Sequence, residues 1–324
     1  DEPLRLCTRK RRGNPAMKWM RLALGLPIIL LVWYFVIRSL VGSFKQIEWG
    51  ALHVSYSCIA TSVLCLLLAR LMNGMNCTLM LRALGERALF SQVVPVIWVS
   101  SLGRYVPGKM AVVAGATYGL IKTGVGLPAA LAGLFLSTAL MILISLMTAT
   151  PLLLTPLMRE KLPWGWVPSL GVLLVGLICL QPGVFTRLCN LVIVRMKKPP
   201  LPARLSTVAL LKGVGLTVLR SVFQGLGLWF AVGAIGALRG TDVLMAVGSA
   251  GLASTIGFVA VFAPAGLGVH EAVYLVTLGP VLGPKAAVLA VLFRLLHITA
   301  DATAGGLGMI LLRGQVVRET VLVN

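Results

Sequence analysis

Apolar residues along this chain come in long unbroken runs, without the period of two of a half-buried strand or the one-sided stripe of a soluble helix. The uncharged runs cover residues 22 to 37, 49 to 69, 88 to 103, 123 to 158, 162 to 186, 221 to 238, 243 to 269 and 302 to 312. Several reach the roughly 20 residues that an α-helix needs to cross the hydrocarbon core of a bilayer. Backbone inside lipid must satisfy its own amides and carbonyls, and the alternation of a barrel strand is missing, so the runs are expected to be helices. The predicted fold class is all-α, a polytopic helical membrane protein.

Two apolar stretches are interrupted near their middle by Pro and Gly. The first interruption is RYVPGKM at 104 to 110, and the second is FAPAGLGVHE at 262 to 271. Proline removes a backbone donor and glycine admits conformations closed to other residues, so each stretch reads as a broken or re-entrant helical hairpin. The hairpins span residues 88–122 and 243–284; two full crossings in each would leave the charge parity unchanged.

Basic residues supply orientation, because cytoplasmic loops collect Lys and Arg. The tail to Arg21 carries Arg5, Arg9, Lys10, Arg11, Arg12, Lys18 and Arg21, which places the N-terminus inside. The segment 187 to 204 holds Arg187, Arg195, Lys197, Lys198 and Arg204 with no acid, and is also assigned to the cytoplasm. Arg70, Arg82 and Arg87 are scored as a further inside loop, and Arg38, Lys45, Arg159 and Lys161 fall outside. Alternation closes if each hairpin enters and leaves on one side, the first from the cytoplasm and the second from outside. This predicts about six full spans plus two broken hairpins in an inverted repeat, with both termini cytoplasmic. The corresponding division is a basic tail at 1–21, a first membrane half at 22–158, a second half at 159–313 and a C-terminal tail at 314–324. In transporters built this way, interrupted segments at matching positions mark the substrate site.

Composition agrees with the pattern: 58% of the 324 residues are hydrophobic and 12% charged, about half the charged share of soluble proteins. Mean hydropathy is +0.95. A net charge of +20 would point to nucleic acid in a soluble protein, but here the cations gather in loops and no nucleic-acid motif occurs. The cysteines at 7, 58, 65, 77, 179 and 189 have no CxxC spacing and read as small packing residues. The basic tail leads straight into a spanning run, so no removable signal peptide is expected and the first span serves for targeting. No metal cluster, nucleophile triad, Walker loop or nucleotide fingerprint occurs, so neither a cofactor nor an enzymatic activity is expected.

Charges inside apolar segments are functional candidates by default, because a charge at mid-bilayer costs about 2.5 to 3.5 kcal/mol on insertion scales. Arg104, Lys109, Lys212, Arg220 and Arg294 are the cations so placed. Lys212 is near a helix end and reads as snorkelling; Arg220 is deeper and either faces a polar cavity or snorkels. Arg104 and Lys109 flank the first break, where a half-helix N-terminus adds partial positive charge and suits a phosphate; at the interface they would instead meet water or headgroups. Three acids come near the interior: Asp242, at a helix mouth, Glu271 and Asp301. Arg294, His297 and Asp301 fall at i, i+3 and i+7, one helical face, and Arg294 is placed to pair with Glu271, for function or for structure alone. PAGLG at 264 to 268, with Pro264, Gly266 and Gly268, permits close backbone approach or packs as a turn. His270 is either a proton carrier, its ordinary pKa lying near neutrality, or a helix cap. A net-positive interior complements an anion and suits a carrier, a channel or a lipid-bound scaffold.

At these motifs the chain resembles the lysylphosphatidylglycerol synthase transmembrane family, also called the flippase-like domain family. GRYVPGKMAVVAGA resembles its first Pro-Gly-Lys break, APAGLGVHEAV its second Gly-rich break, and VLFRLLHITAD its Arg-bearing final helix. Ala265 stands where the family usually has Gly, and His270 where it has Arg. The resemblance covers nearly the whole chain and implies a bacterial or archaeal inner-membrane protein that moves phospholipids or lipid-linked intermediates between leaflets. No aminoacyl-transferase domain follows the last span, so aminoacyl transfer is not expected. By matching position, Arg104, Lys109, Glu271 and Arg294 are assigned to a lipid site, with Tyr105, Pro107, Gly108, Arg220, Pro264, Gly266, Gly268, His270, His297 and Asp301 around it. Expected partners are membrane lipids with anionic headgroups and no nucleic acid. A scaffold that presents a lipid to a glycosyltransferase or other lipid-modifying enzyme is the alternative. The Gly305 to Gly308 segment suits packing against a second copy, a homodimer.

Overall fold

A computed structural model describes residues 54–105, 110–161, 166–179, 207–236, 242–260 and 266–323, with isolated positions between 164 and 194. The N-terminal tail, the first predicted span, Pro107, Gly108, Lys109, Pro264 and most of the basic segment 187 to 204 lie outside the described residues. The described residues are helical, with no strand among them. In chain order the helices are α1 (Tyr56–Ala83), α2 (Phe90–Ser101), α3 (Met110–Lys122), α4 (Leu127–Leu153), α5 (Pro156–Lys161), α6 (Trp166–Cys179), α7 (Thr207–Ala234), α8 (Asp242–Val259), α9 (Val269–Leu282) and α10 (Lys285–Val323). Four of them are long and apolar enough to cross a membrane: α1, α4, α7 from Val208, and α10 as far as Arg313.

Both interrupted stretches form pairs of short helices. In the first, α2 and α3 have 12 and 13 residues and flank a 3-10 turn at Leu102–Tyr105. At a rise of about 1.5 Å per residue each arm is roughly 20 Å long, short of the roughly 30 Å hydrocarbon core. In the second, α8 and α9 have 18 and 14 residues. Each pair packs arm against arm. Gly266 and Gly268 have φ of +69° and +80°, a left-handed region in which a side chain is strained.

Among the described residues two large apolar clusters form, one centred on Met80, Leu81, Leu120, Leu136 and Leu140, the other on Leu66, Leu228, Val232, Leu289 and Phe293. The packing partners repeat. The first span of each set, α1 and α7, lie against one another, joined by a hydrogen bond from Ser62 Oγ to the Gly227 carbonyl at 2.6 Å. Helix α4 packs on α8, and α10 packs on α2, so each closing span rests on the first arm of the other hairpin.

Several expectations change here. Arg70, scored as a loop residue, lies in the middle of α1 and is buried, because the helix runs 13 residues past it to Ala83. The apolar run predicted at 221 to 238 belongs to a helix that starts at Thr207 and includes both Lys212 and Arg220; Lys212 is exposed and Arg220 buried. The last predicted run, 302 to 312, is the distal part of α10, which continues through the expected tail to Val323. Gly305 and Gly308 face the chain's own first hairpin: a Cβ at Gly305 would come 2.6 Å from the Leu102 side chain, and one at Gly308 2.9 Å from the Pro95 carbonyl oxygen. Those small residues let α10 approach α2, a role within one chain.

Candidate functional site

One face of α10 organises the site. Asp301 is buried, and its Oδ1 accepts a hydrogen bond from Arg70 Nε at 2.5 Å. Its Oδ2 accepts from the Tyr105 hydroxyl at 2.8 Å and lies 3.4 Å from Arg104 Nη1. One carboxylate therefore ties α1 and the first break to α10. Charge-assisted bonds of this kind are short and about twice as strong as neutral ones. The first hairpin also grips α1 directly, since Trp98 Nε1 donates to the Arg70 carbonyl at 3.2 Å. Arg104 Nε donates to the Ser101 carbonyl at 3.1 Å, which fixes the guanidinium at the end of α2.

One turn earlier on the same face, His297 Nδ1 lies 2.9 Å from Arg70 Nη2. A guanidinium only donates, so Nδ1 is the acceptor and Nε2 carries the ring proton. That Nε2 is buried with no hydrogen-bond partner. Phe293 stacks edge-on against His297 with centroids 4.7 Å apart, and Tyr274 against Phe293 at 5.7 Å.

The second break reaches α10 through Glu271. Its Oε2 accepts from the Gly268 backbone N–H at 2.8 Å, the acid half of a capping box that closes the N-terminus of α9. Its Oε1 lies 3.9 Å from Arg294 Nη1, so the anticipated pair forms and is long. The His270 ring sits against Gly257 and Gly266; at Gly266 a Cβ would come 2.7 Å from its Nε2. No larger residue fits there without moving the imidazole.

These side chains line a cavity of about 930 Å³. Of the residues singled out from sequence, Arg104, Tyr105, Arg220, Gly266, His270, Glu271, Arg294, His297 and Asp301 all contribute to its wall. Gly268 stands beside it as the cap of α9. Pro107, Gly108, Lys109 and Pro264 lie outside the described residues. Lys212, counted as an interior cation, is not in the wall. Arg70, Gln224 and Tyr274 are wall residues that the sequence reading missed. Arg70 had a usable signal, because the apolar pattern resumes after it through LMNGMNCTLML at 71 to 81, which keeps it inside a helix.

The wall is two-sided in character. The guanidiniums of Arg70, Arg104, Arg220 and Arg294 share it with the carboxylates of Glu271 and Asp301. Much of the remainder is apolar, with Leu127, Leu131, Leu134, Phe135 and Met141 from α4, Val112 and Val113 from α3, and Phe258 from α8, interspersed with neutral polar side chains such as Asn73, Ser100, Ser137, Thr138, Gln224 and Ser254. Phe135 and Phe258 are 65% and 40% exposed, so the apolar part of the cavity wall is open and not enclosed. Chemically the hollow offers guanidinium donors on one side and a largely apolar surface on the other. The chain matches no protein-family model, and comparison with curated proteins finds no match.

Proposed function

We propose that the protein is a lipid flippase-like carrier that moves an anionic or phosphate-bearing lipid between the leaflets of a bacterial or archaeal cytoplasmic membrane. The observation that carries this reading is the two-sided cavity, where four guanidiniums against two carboxylates are joined to an apolar end among surface-exposed side chains. A soluble anion needs no apolar half, and an apolar ligand needs no guanidiniums.

The topology in this reading is about six full spans and two re-entrant hairpins related as an inverted repeat. What supports it is the exchange of packing partners, α4 on α8 and α10 on α2, with α1 against α7. Exchanging the set α1 to α4 for the set α7 to α10 turns α4 on α8 into α10 on α2 and leaves the α1–α7 pair as it is. Both chain interruptions then border one cavity, where carriers of this architecture place their substrate. The resemblance of the two breaks and the final helix to the flippase-like domain family points the same way.

Reconstitution into liposomes with a fluorescent anionic lipid tests the proposal. Leaflet exchange is expected to be faster than in protein-free liposomes, and Arg294→Gln is expected to slow it while the variant remains folded. Exchange equal to that of empty liposomes overturns the carrier reading and favours a scaffold that presents lipid to another enzyme.

A further inference from the structure

The charges in the cavity wall are unequally matched. Arg294 faces Glu271, and Arg70 and Arg104 share Asp301. Arg220 is 7% exposed, and its Nη1 is buried with no hydrogen-bond partner. The charges that act on it are those of Arg70 and Arg104, both of its own sign. These three guanidiniums and the Asp301 carboxylate line the same cavity, leaving two positive charges uncompensated among the described residues. A buried cation with like-charged neighbours is costly unless a counter-charge joins it. His297 adds a buried Nε2–H without an acceptor in the same wall.

We infer that the lipid held here ends in a doubly charged phosphate, a phosphomonoester or diphosphate, with Arg220 as its anchor, in preference to a singly charged phosphodiester. The inference rests on the lipid-carrier reading and narrows its substrate class. A terminal phosphate carries about −1.5 to −2 charges near neutral pH and three acceptor oxygens. That matches both the excess charge and the donors on offer, whereas a phosphodiester supplies one charge and leaves one guanidinium uncompensated. Planar guanidiniums bind phosphate oxygens through paired N–H groups, so Arg70 and Arg104 can add to the Arg220 contact from the Asp301 side. The apolar end along α4 receives the chain.

Free inorganic phosphate presents the same oxygens, so the test separates the two sources. The full chain in phosphatidylcholine nanodiscs is titrated with phosphatidate, with phosphatidylglycerol and with inorganic phosphate. Phosphatidate is expected to bind about tenfold tighter than phosphatidylglycerol, the effect of roughly one further charge-assisted contact. In Arg220→Gln that preference should vanish, and in Arg220→Lys part of it should survive. Since Arg220 Nη1 has no protein partner, Arg220→Gln is expected to unfold no more readily than the parent; if it does not fold, Arg220→Lys carries the test through its reduced preference. Equal affinity for the two lipids, or a preference untouched in the Arg220 variants, overturns the inference. Inorganic phosphate displacing phosphatidate at equal concentration overturns its lipid half. Leaflet exchange of both lipids at equal rates, with equal affinity, would keep the carrier and remove this inference; a monoester preference without exchange would do the reverse.

Discussion

Asp301→Asn removes one negative charge from the point where α1, the first break and α10 meet, and its cost follows from the geometry. Arg70 is 6% exposed and has its Nε 2.5 Å from the carboxylate, so the variant leaves a buried guanidinium facing a neutral amide. Removing one partner of a buried ion pair costs roughly 3 to 5 kcal/mol. Arg104 is 34% exposed, and its 3.4 Å tie is solvent-screened and adds a few tenths of a kcal/mol at most. Tyr105 exchanges a charged acceptor for a neutral one, roughly another 0.5 to 1 kcal/mol. Since asparagine still accepts one bond from Arg70 Nε, the expected loss is about 3 kcal/mol, at the lower end of the sum.

The assay is reversible unfolding in mixed micelles, followed by tryptophan fluorescence, with Arg70→Met and the double variant completing a cycle. Arg70→Met alone leaves the buried carboxylate with only the Tyr105 hydroxyl and the partly exposed Arg104, while Arg70→Met with Asp301→Asn removes both charges of the pair. The double variant should therefore be more stable than the sum of the single effects by about 2 kcal/mol, a coupling typical of residues in direct contact. A loss below about 1 kcal/mol for Asp301→Asn, or additive single effects, would refute the claim that this carboxylate holds the site together.

Two further outcomes test the architecture. Gly305→Leu is expected to lower stability by about 1 to 3 kcal/mol, because α10 packs there on Leu102, with the oligomeric mass by light scattering unchanged; dissociation of a dimer with stability intact would return Gly305 to an intermolecular role. A lipid carrying a photoreactive group on its headgroup should cross-link to peptides from α7 and α1, and one carrying it on the acyl chain to peptides from α4, as read by mass spectrometry. The opposite pattern would contradict the assigned orientation.

Elements that depend on local pattern were legible in the sequence. Uninterrupted apolar runs announced helices, Pro-Gly pairs announced the two breaks, and the spacing of Arg294, His297 and Asp301 announced one face of one helix. The pairing of Arg294 with Glu271 also followed, because few interior charges compete for partners. Arg70 was not legible by the same rules. Scoring loops by basic residues treats a cation at the end of an apolar run as a loop marker, and its partner Asp301 is 231 residues away. The apolar pattern that resumes at 71 to 81 marks the helix as continuing, but nothing local names the distant acid that meets the cation. The same limit holds at Gly305 and Gly308, which face the first hairpin, since small residues on a membrane helix are equally suited to a neighbour within the chain and to a second copy.

If the two halves descend from one repeat, the closing spans α4 and α10 are counterparts, yet their chemistry differs. Helix α4, from Leu127 to Leu153, contains no Asp, Glu, Lys or Arg, whereas α10 places Arg294, His297 and Asp301 along the cavity. Each closing span lies against the first arm of the opposite hairpin. The cavity that both line therefore has one wall without charged residues, from α4, and one charged wall, from α10. Asp301 and Arg294 are seven residues apart, about 10 Å along the helix, and each holds a different break. A shift of α10 by one helical turn, about 5.4 Å, would carry both attachments out of register together. The two breaks are thus mechanically joined through one helix, and the carboxylate that holds the first of them is the one that Arg70 and Arg104 share.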